Sequence, residues 1–234
     1  MKGKLNKNAV ITACILVILG LLGVLLCDAR IAENLACSLL ASGIVLFLTT
    51  VLADRQAVNP LEPWGIQNIY TTRGQMNADC DIANRSARHQ LDIVAFGLKT
   101  FRQECEVDSL LKRGVQIRII TMDPDSPFVS HREQEEGKAP GSIRSSIEDL
   151  VSWADSLNRQ KSYKGSIEIR GYSSMTLDFY WRVDDELFVG PYWYDYDSQQ
   201  TVSYRYKGGD GFKLYTLYFE KLWGNAALLR KLTK

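Results

Sequence analysis

Apolar residues are distributed unevenly along the chain, with two long uncharged stretches close to its beginning. The first covers residues 9–27 and the second covers residues 35–53, nineteen residues each. As helices these stretches would be about 28 Å long, close to the hydrocarbon thickness of a bilayer. Neither has the polar stripe of a helix that packs on a soluble core. The pattern therefore predicts a transmembrane hairpin over residues 1–53.

Two other interpretations of these stretches compete with the hairpin. A cleaved signal peptide fits Lys2, Lys4 and Lys7, but it would have a shorter apolar core and small residues at its cleavage site. Two core helices of a soluble bundle are disfavoured by the length of both stretches. The same lysines, against a net-negative connector over residues 28–34, predict an inner-membrane protein that spans the membrane twice with both termini in the cytoplasm.

The chain becomes much more polar after residue 53. Residues 54–63 are polar with two prolines, which predicts a short linker, and residues 64–234 fit a single cytoplasmic domain. A helix over 73–88, a strand over 91–96, a helix over 100–113 and a strand over 115–121 predict a right-handed crossover and parallel pairing. Further predicted elements are a helix near 143–157, strands at 167–170, 179–183, 187–192 and 201–206, and a last helix that ends near Trp223. The predicted fold class is a membrane-anchored α/β protein with a mixed sheet and helices on both faces.

Charge and cysteine content narrow the function classes. The chain has a net charge of +1, and residues 54–234 alone carry a net charge of −1. A nucleic-acid-binding domain usually has a basic excess, so direct nucleic-acid binding is not expected. Cys80 and Cys105 are the cysteines outside the two stretches, too few for a disulfide framework and without paired metal-ligand spacing. The sequence predicts no metal site and no cofactor.

Candidate catalytic residues are scarce. The two histidines, His89 and His131, have no partner at metal-ligand spacing and lie in no nucleophile motif. Residues 207–211 are rich in glycine but lack the lysine and hydroxyl residue of a phosphate loop, so they predict a turn. Both histidines are therefore interpreted as surface or helix-end residues.

Several short stretches, taken in order over about residues 66–224, resemble one repeat of the phospholipase-D-like superfamily. They are Leu91–Leu98 with the helix after it, Leu110–Ile120, Asp123–Pro127, Ile169–Tyr172, Arg182–Gly190 and Phe219–Trp223. Active members of that family carry His-x-Lys followed after four residues by Asp. Counted back from Asp184 or Asp185, the histidine position holds Leu177 or Asp178. The lysine position holds Phe179 or Tyr180.

Neither pair supplies an imidazole nucleophile or an ammonium group. The resemblance therefore implies a degenerate domain that is not an enzyme, and no catalytic residue is assigned. Ligands of open α/β sheets bind beyond the carboxyl ends of strands. The candidate ligand- or partner-binding residues are accordingly Asp123, Asp125, Ser126, Arg170, Tyr172, Arg182, Tyr192 and Trp193. The alternative is that Asp123 and Asp125 cap a turn and that the aromatic run 192–196 is an ordinary strand edge.

Small residues mark one candidate packing face in the second apolar stretch. Ser38 and Ser42 are four residues apart and Gly43 is adjacent, a pattern that favours close helix approach. The layout resembles the two-span transmembrane effectors of bacterial anti-phage defence systems. That resemblance implies a homo-oligomer that disrupts the inner membrane when a regulatory protein or ribonucleoprotein from the same operon, or a ligand, triggers its domain. The alternatives are a membrane-tethered phosphodiesterase or nuclease and a non-toxic membrane-anchored sensor.

Overall fold

The computed structural model describes residues 7–26, 30–56, 61–96, 98–160, 162–175 and 177–234. The chain divides into two compact units, residues 1–62 and residues 63–234. Each unit has its own set of internal contacts.

The first unit is a pair of helices. Helix α1 spans Lys7–Leu26 and helix α2 spans Arg30–Gln56. Within them, Asn8–Leu26 and Asn34–Val51 are long and apolar enough to cross a membrane. Residues 54–56, predicted as linker, continue α2, whereas residues 57–60 of that linker and residues 27–29 lie outside the described residues. Since no proline or glycine interrupts residues 44–56, nothing in the local sequence ends the helix earlier.

Glycines bring α1 and α2 together. A Cβ at Gly20 would lie 2.6 Å from the backbone nitrogen of Leu40, and one at Gly43 would lie 2.8 Å from that of Val17. The predicted packing residues therefore divide between two faces of α2. Gly43 is buried against α1, whereas Ser38 and Ser42 are exposed on another face. Adjacent residues of a helix point about 100° apart, so Gly43 faces α1 while Ser42 points away from it.

The second unit is built on an eight-stranded mixed sheet in the order β1-β7-β6-β5-β2-β3-β4-β8. Strands β2, β3 and β4 pair in parallel, and every other pair is antiparallel. The strands are β1 (Ile66–Tyr70), β2 (Gln90–Val94), β3 (Gln116–Met122), β4 (Ser166–Tyr172), β5 (Phe179–Val183), β6 (Glu186–Gly190), β7 (Ser203–Lys207) and β8 (Leu229–Lys231).

Helices cover both faces of this sheet. They are α3 (Arg73–Ser86), α4 (Lys99–Glu104), α5 (Val107–Arg113), α6 (Pro127–Glu135), α7 (Ser142–Asn158) and α8 (Gly209–Trp223). Successive side chains of a strand point to opposite faces, so Leu91 and Ile93 enter one core with α3, α5 and α7. Val94 enters a second core with α6 and α8. The predicted fold class, a mixed sheet with helices on both faces, is confirmed.

Several boundaries differ from the prediction. The helix expected over 100–113 is two helices, α4 and α5, separated at Cys105 and Glu106, and Gly114 ends the second with φ of 94°. Strands β1 and β8 and helix α6 were not predicted. Their sequences carry little apolar periodicity because β1 and β8 lie at the sheet edges and α6 is polar on most positions.

The segment before β1 is fastened to the turn between β7 and α8. Backbone N–H groups of Lys207, Asp210 and Gly211 donate to the carbonyl oxygens of Gly65, Pro63 and Trp64 at 2.8, 2.8 and 3.1 Å. Gly65 has φ of 75°, and a Cβ there would lie 2.0 Å from a carbonyl oxygen of the same turn. Only glycine fits this close approach.

Candidate functional site

A cavity of about 630 Å³ opens at the edge of the sheet where β2 and β6 end and β5 begins. Its volume falls within the range of sites for small molecules. Strand β5 is antiparallel to both of its neighbours, β2 and β6. The amino end of β5 therefore lies beside the carboxyl ends of β2 and β6. Aromatic and apolar walls include Met76, Phe96, Phe101, Phe179, Trp181 and Tyr192, and polar lining groups include Arg73, Asn77, Asn84, Glu136, Lys138, Ser146 and Gln199.

Arg73, the first residue of α3, is the most buried cation of this cavity, at 3% exposure. Its guanidinium carbon lies 4.3 Å from the ring centre of Phe179 and 4.5 Å from that of Tyr192. One Nη donates to the carbonyl oxygen of Pro191 and to Oγ1 of Thr201, both at 3.1 Å. Its Nε is buried without a hydrogen-bond partner. Among residues 61–234 as far as the structure describes them, no carboxylate lies within 4.0 Å of this guanidinium.

Arg132 of α6 also lies near the Tyr192 ring, at 5.2 Å from its centre, and is equally buried. Unlike Arg73 it is neutralised, because its two Nη atoms bind Glu135 at 2.9 Å and Glu136 at 2.5 Å. It also donates to the carbonyl oxygen of Trp193 at 3.4 Å. Burial raises the pKa of the Tyr192 hydroxyl, and the two arginines partly oppose that rise.

Trp181 forms the deep wall of the cavity. Its indole N–H donates to Oδ1 of Asn84 at 2.8 Å, and its ring meets that of Phe101 edge-on at 5.4 Å. Because the indole is held by both a hydrogen bond and an aromatic contact, this wall keeps one orientation.

Two thiols also line the cavity. Burial raises the pKa of Cys80 well above its usual value and that of Cys105 to about 11. Both are therefore protonated thiols near neutral pH, which are poor nucleophiles. The described lining residues include serines but no histidine to act as their base.

Of the eight predicted binding residues, Tyr192 lines the cavity. Trp193 follows it, is 43% exposed and packs its ring against Tyr196. Tyr172 is buried at the same edge, where its hydroxyl accepts from the N–H of Leu177 at 3.4 Å, and burial raises its pKa. Neither residue is part of the cavity lining.

The predicted residues after β3 occupy capping positions. Oδ1 of Asp123 accepts from the N–H of Asp125 at 3.0 Å, and Oγ of Ser126 accepts from the N–H of Phe128 at the start of α6. Arg230 of β8 binds Asp123 at 2.6 Å and Asp125 at 3.0 Å. These contacts correspond to the alternative in which the loop caps a turn and the next helix.

The two predicted arginines point to the face covered by α8 instead of to the cavity. Arg170 lies 4.0 Å from the ring centre of Trp223 and pairs with Glu168 at 2.7 Å. Arg182 donates to the backbone oxygen of Asp184 at 2.8 Å and lies 3.5 Å from Asp92. Side chains on alternate faces of a strand explain the separation, since Trp181 enters the cavity and Arg182 cannot.

Sequence reasoning missed Arg73, the central cation of the cavity. It stands in Thr72-Arg73-Gly74 at a helix start, where an arginine is ordinarily exposed. No local pattern marks it, because its burial comes from contacts with Phe179 and Tyr192, more than a hundred residues later in the chain.

The residues at the positions of the family's His-x-Lys pair lie at the start of β5. Phe179 is the cavity wall under Arg73, and Tyr180 is buried on the opposite face against Phe219, with ring centres 5.0 Å apart. Burial raises the pKa of Asp178, and the nearby Arg73 partly lowers it again. Asp184 lies at the far end of β5, in the turn to β6.

The Asp184 side chain binds the backbone at the beginning of β2. Its carboxylate accepts from the backbone N–H groups of Arg88, His89 and Gln90 at 2.8, 3.0 and 2.8 Å. Burial opposes its ionisation, but these three donors outweigh burial and lower its pKa. The lowered pKa stabilises the fold above the unfolded-state value of about 3.9, and that stabilisation is lost as pH falls through the folded-state pKa.

We expect Asp184→Asn to lower the free energy of unfolding at pH 7 by about 2–3 kcal/mol, since neutral acceptors make weaker hydrogen bonds. Asn keeps the left-handed backbone that Asp184 adopts at φ of 50°. Asp185→Asn is the control, because that side chain is 72% exposed. Urea unfolding at pH 7 and at pH 3 measures both variants, and an equal loss for Asp184→Asn at the two pH values would contradict the charge argument.

No protein-family model matches the chain, and no curated protein matches it. Solved structures with a similar arrangement include Nuc from Salmonella typhimurium, a phospholipase D family member, at 14% identity and a TM-score of 0.46, covering 71% of this chain and 99% of Nuc. Phosphatidylserine synthase from Haemophilus influenzae is 11% identical with a TM-score of 0.46, covering 84% of this chain and 47% of that one.

The archaeal chromatin protein TrmBL2, which binds DNA, is 15% identical with a TM-score of 0.43. The match covers 83% of this chain and spans 63% of the TrmBL2 chain. At these identities the likenesses concern the fold alone. The chain thus combines two apolar N-terminal helices with a mixed α/β unit whose similar structures include phospholipase-D-like proteins.

Proposed function

We propose that the chain is an inner-membrane effector of bacterial anti-phage defence whose cytoplasmic unit is a binding domain and not an enzyme. Binding of a ligand, or of a regulatory protein or ribonucleoprotein from the same operon, at this unit lets the hairpins oligomerise and disrupt the membrane. The observation that carries the proposal is a cavity with a buried cation and no activated nucleophile, in a chain with two helices apolar enough to span a bilayer.

The cavity chemistry supports binding over turnover. Covalent catalysis needs a nucleophile with a base in hydrogen-bond reach or a lowered pKa. The pKa values of both lining thiols are raised instead, and His89 and His131 do not line the cavity. His131 is 63% exposed on α6, where it pairs with Glu135.

The hairpin supports assembly into oligomers. Two helices enclose no water-filled path, so membrane damage requires several copies. Gly20 and Gly43 lie in the contact between α1 and α2, whereas Ser38 and Ser42 are exposed on another face of α2. Small polar residues at such a face favour helix contacts between copies.

Induced expression of the full chain in a bacterial host, followed with a membrane-potential dye, tests the effector function. We expect depolarisation and growth arrest when the chain is produced without its regulatory partner, and much weaker effects from residues 1–58 at a matched membrane level. If the full chain leaves potential and growth unchanged, the anchored-sensor alternative replaces the effector.

Purified full chain in detergent is expected to leave bis(4-nitrophenyl) phosphate intact, because the cavity lacks an activated nucleophile. Release of nitrophenol is measured against a buffer blank and against His89→Ala and His131→Ala variants. Turnover by the unchanged chain that either substitution abolishes would establish the membrane-tethered phosphodiesterase alternative.

A further inference from the structure

We propose that the cavity beside Arg73 binds a small aromatic oxyanion, a phosphate or carboxylate group carried on a flat ring, with Arg73 as the residue that recognises the charge. The inference rests on the proposed function in that this ligand would be the trigger of the cytoplasmic unit. Binding itself is a property of the cavity and can be measured without any membrane effect.

Arg73 carries its positive charge in a buried position. A buried ion is costly unless a counter-charge accompanies it. Arg132, the other arginine that is almost fully buried, has two carboxylates as partners. The hydrogen bonds of the Arg73 guanidinium go to the neutral oxygens of Pro191 and Thr201. Asp178 is near enough for the Arg73 charge to lower its pKa, but among the described residues no carboxylate forms an ion pair with Arg73 within 4.0 Å. An anion in the cavity would supply a directly bound counter-charge.

The guanidinium also has unused hydrogen-bonding capacity. Nε of Arg73 is buried and makes no hydrogen bond, although buried donors are nearly always paired. Nε and a neighbouring Nη form the fork with which arginine binds carboxylate or phosphate through two parallel bonds. The rings of Phe179 and Tyr192 both pack against this group, with ring centres 4.3 and 4.5 Å from its carbon, and restrict its orientation.

The aromatic side chains that line the cavity indicate the chemistry of the uncharged part of the ligand. Phe96, Phe101, Trp181 and Tyr192 offer ring faces and edges around a cavity of about 630 Å³. Aromatic side chains prefer offset or edge-on contacts with other rings, so a flat aromatic body fits these walls better than a hydrated sugar or a bare ion. The ligand therefore combines one oxyanion with one ring system.

Full-length chain in detergent micelles, titrated calorimetrically with phenyl phosphate and with benzoate, tests the inference. We expect saturable binding of at least one of these anions, a higher melting temperature in its presence, weaker binding of inorganic phosphate and no binding of phenol. The stronger of the two aromatic anions identifies the oxyanion. Absence of saturable binding by both would overturn the proposal.

Three variants test the role of Arg73. Arg73→Met should weaken binding by at least tenfold, because a charge-assisted pair is lost. Arg144→Met is the matched control, since Arg144 is a half-exposed arginine outside the cavity. Ser146→Trp fills the cavity from α7 and leaves Arg73 unchanged, so it should abolish binding even if Arg73→Met fails to fold.

Unchanged affinity in Ser146→Trp, or in a folded Arg73→Met variant, would overturn the assignment of this cavity. Binding that depends on Arg73 in a chain that leaves the membrane potential intact would retain the site and remove the effector function. Depolarisation by a chain that binds none of the anions would retain the effector function and remove the proposed ligand site.

Discussion

Replacing Asp92 with asparagine is expected to lower the free energy of unfolding of the C-terminal unit by about 3–5 kcal/mol, the usual cost of breaking a buried ion pair from one side. Asp92 is fully buried in the middle of β2. It accepts from Nε of Arg118 at 2.7 Å and from Nη2 of Arg118 at 3.0 Å, and Arg182 lies 3.5 Å away. Asparagine keeps the shape of the side chain and leaves two arginines without this counter-charge.

Glu220→Gln is the matched control, because Glu220 binds the same Arg118 from α8 but is 47% exposed. Burial acts against the charge of Arg118, while hydrogen bonds to Glu220 and Asp92 raise its pKa. Removing the exposed partner should cost no more than about 1 kcal/mol. Chemical unfolding of both variants gives the comparison. Equal losses would show that burial does not determine the strength of this cluster.

In the hairpin, we expect Ser42→Leu to weaken contact between copies and Gly43→Leu to disrupt the hairpin itself. Ser42 is exposed on α2, so leucine there leaves the hairpin intact and blocks close contact between copies. We expect an association constant roughly tenfold lower, from the loss of about 1–2 kcal/mol of helix contact, and a corresponding reduction of depolarisation.

Gly43→Leu should instead separate α1 from α2, since even a Cβ would lie 2.8 Å from the backbone nitrogen of Val17. We expect a lower membrane level and faster proteolysis of this variant. Chemical crosslinking, membrane-potential dye and pulse-chase measurements at matched synthesis distinguish the two failures. Loss of oligomers in Gly43→Leu alone would place the contact between copies on the glycine face.

The sequence predicted those parts of the fold that depend on local pattern. Helix α7 repeats apolar residues at helical spacing, and β3 is a β-branched run, so both were recognised within a residue or two. The hairpin followed from length and apolarity alone. The edge strand β1 was missed because its side chains are mostly exposed and its pairing partner β7 lies far along the chain.

The candidate site was harder to predict, because residues from distant parts of the chain form it. The carboxyl-end rule directed attention to the edge of the sheet where the cavity lies, and Tyr192, one of the predicted residues, lines that cavity. It did not indicate which face of each strand a side chain takes, and Arg170 and Arg182 lie on the face covered by α8, away from the cavity. Arg73 precedes the predicted sheet in sequence, and only the folded chain places it over Phe179.

The attachment of residues 63–65 to the β7–α8 turn has a mechanical consequence. Tension on the chain at Pro63 would act first on three backbone hydrogen bonds and then on the β1–β7 ladder, and the cavity at the opposite end of β7 would be loaded last. Force applied near Pro63 would therefore have to open the turn contacts and the β1–β7 pairing before it reached the part of the cavity lining that includes Ser198 and Gln199.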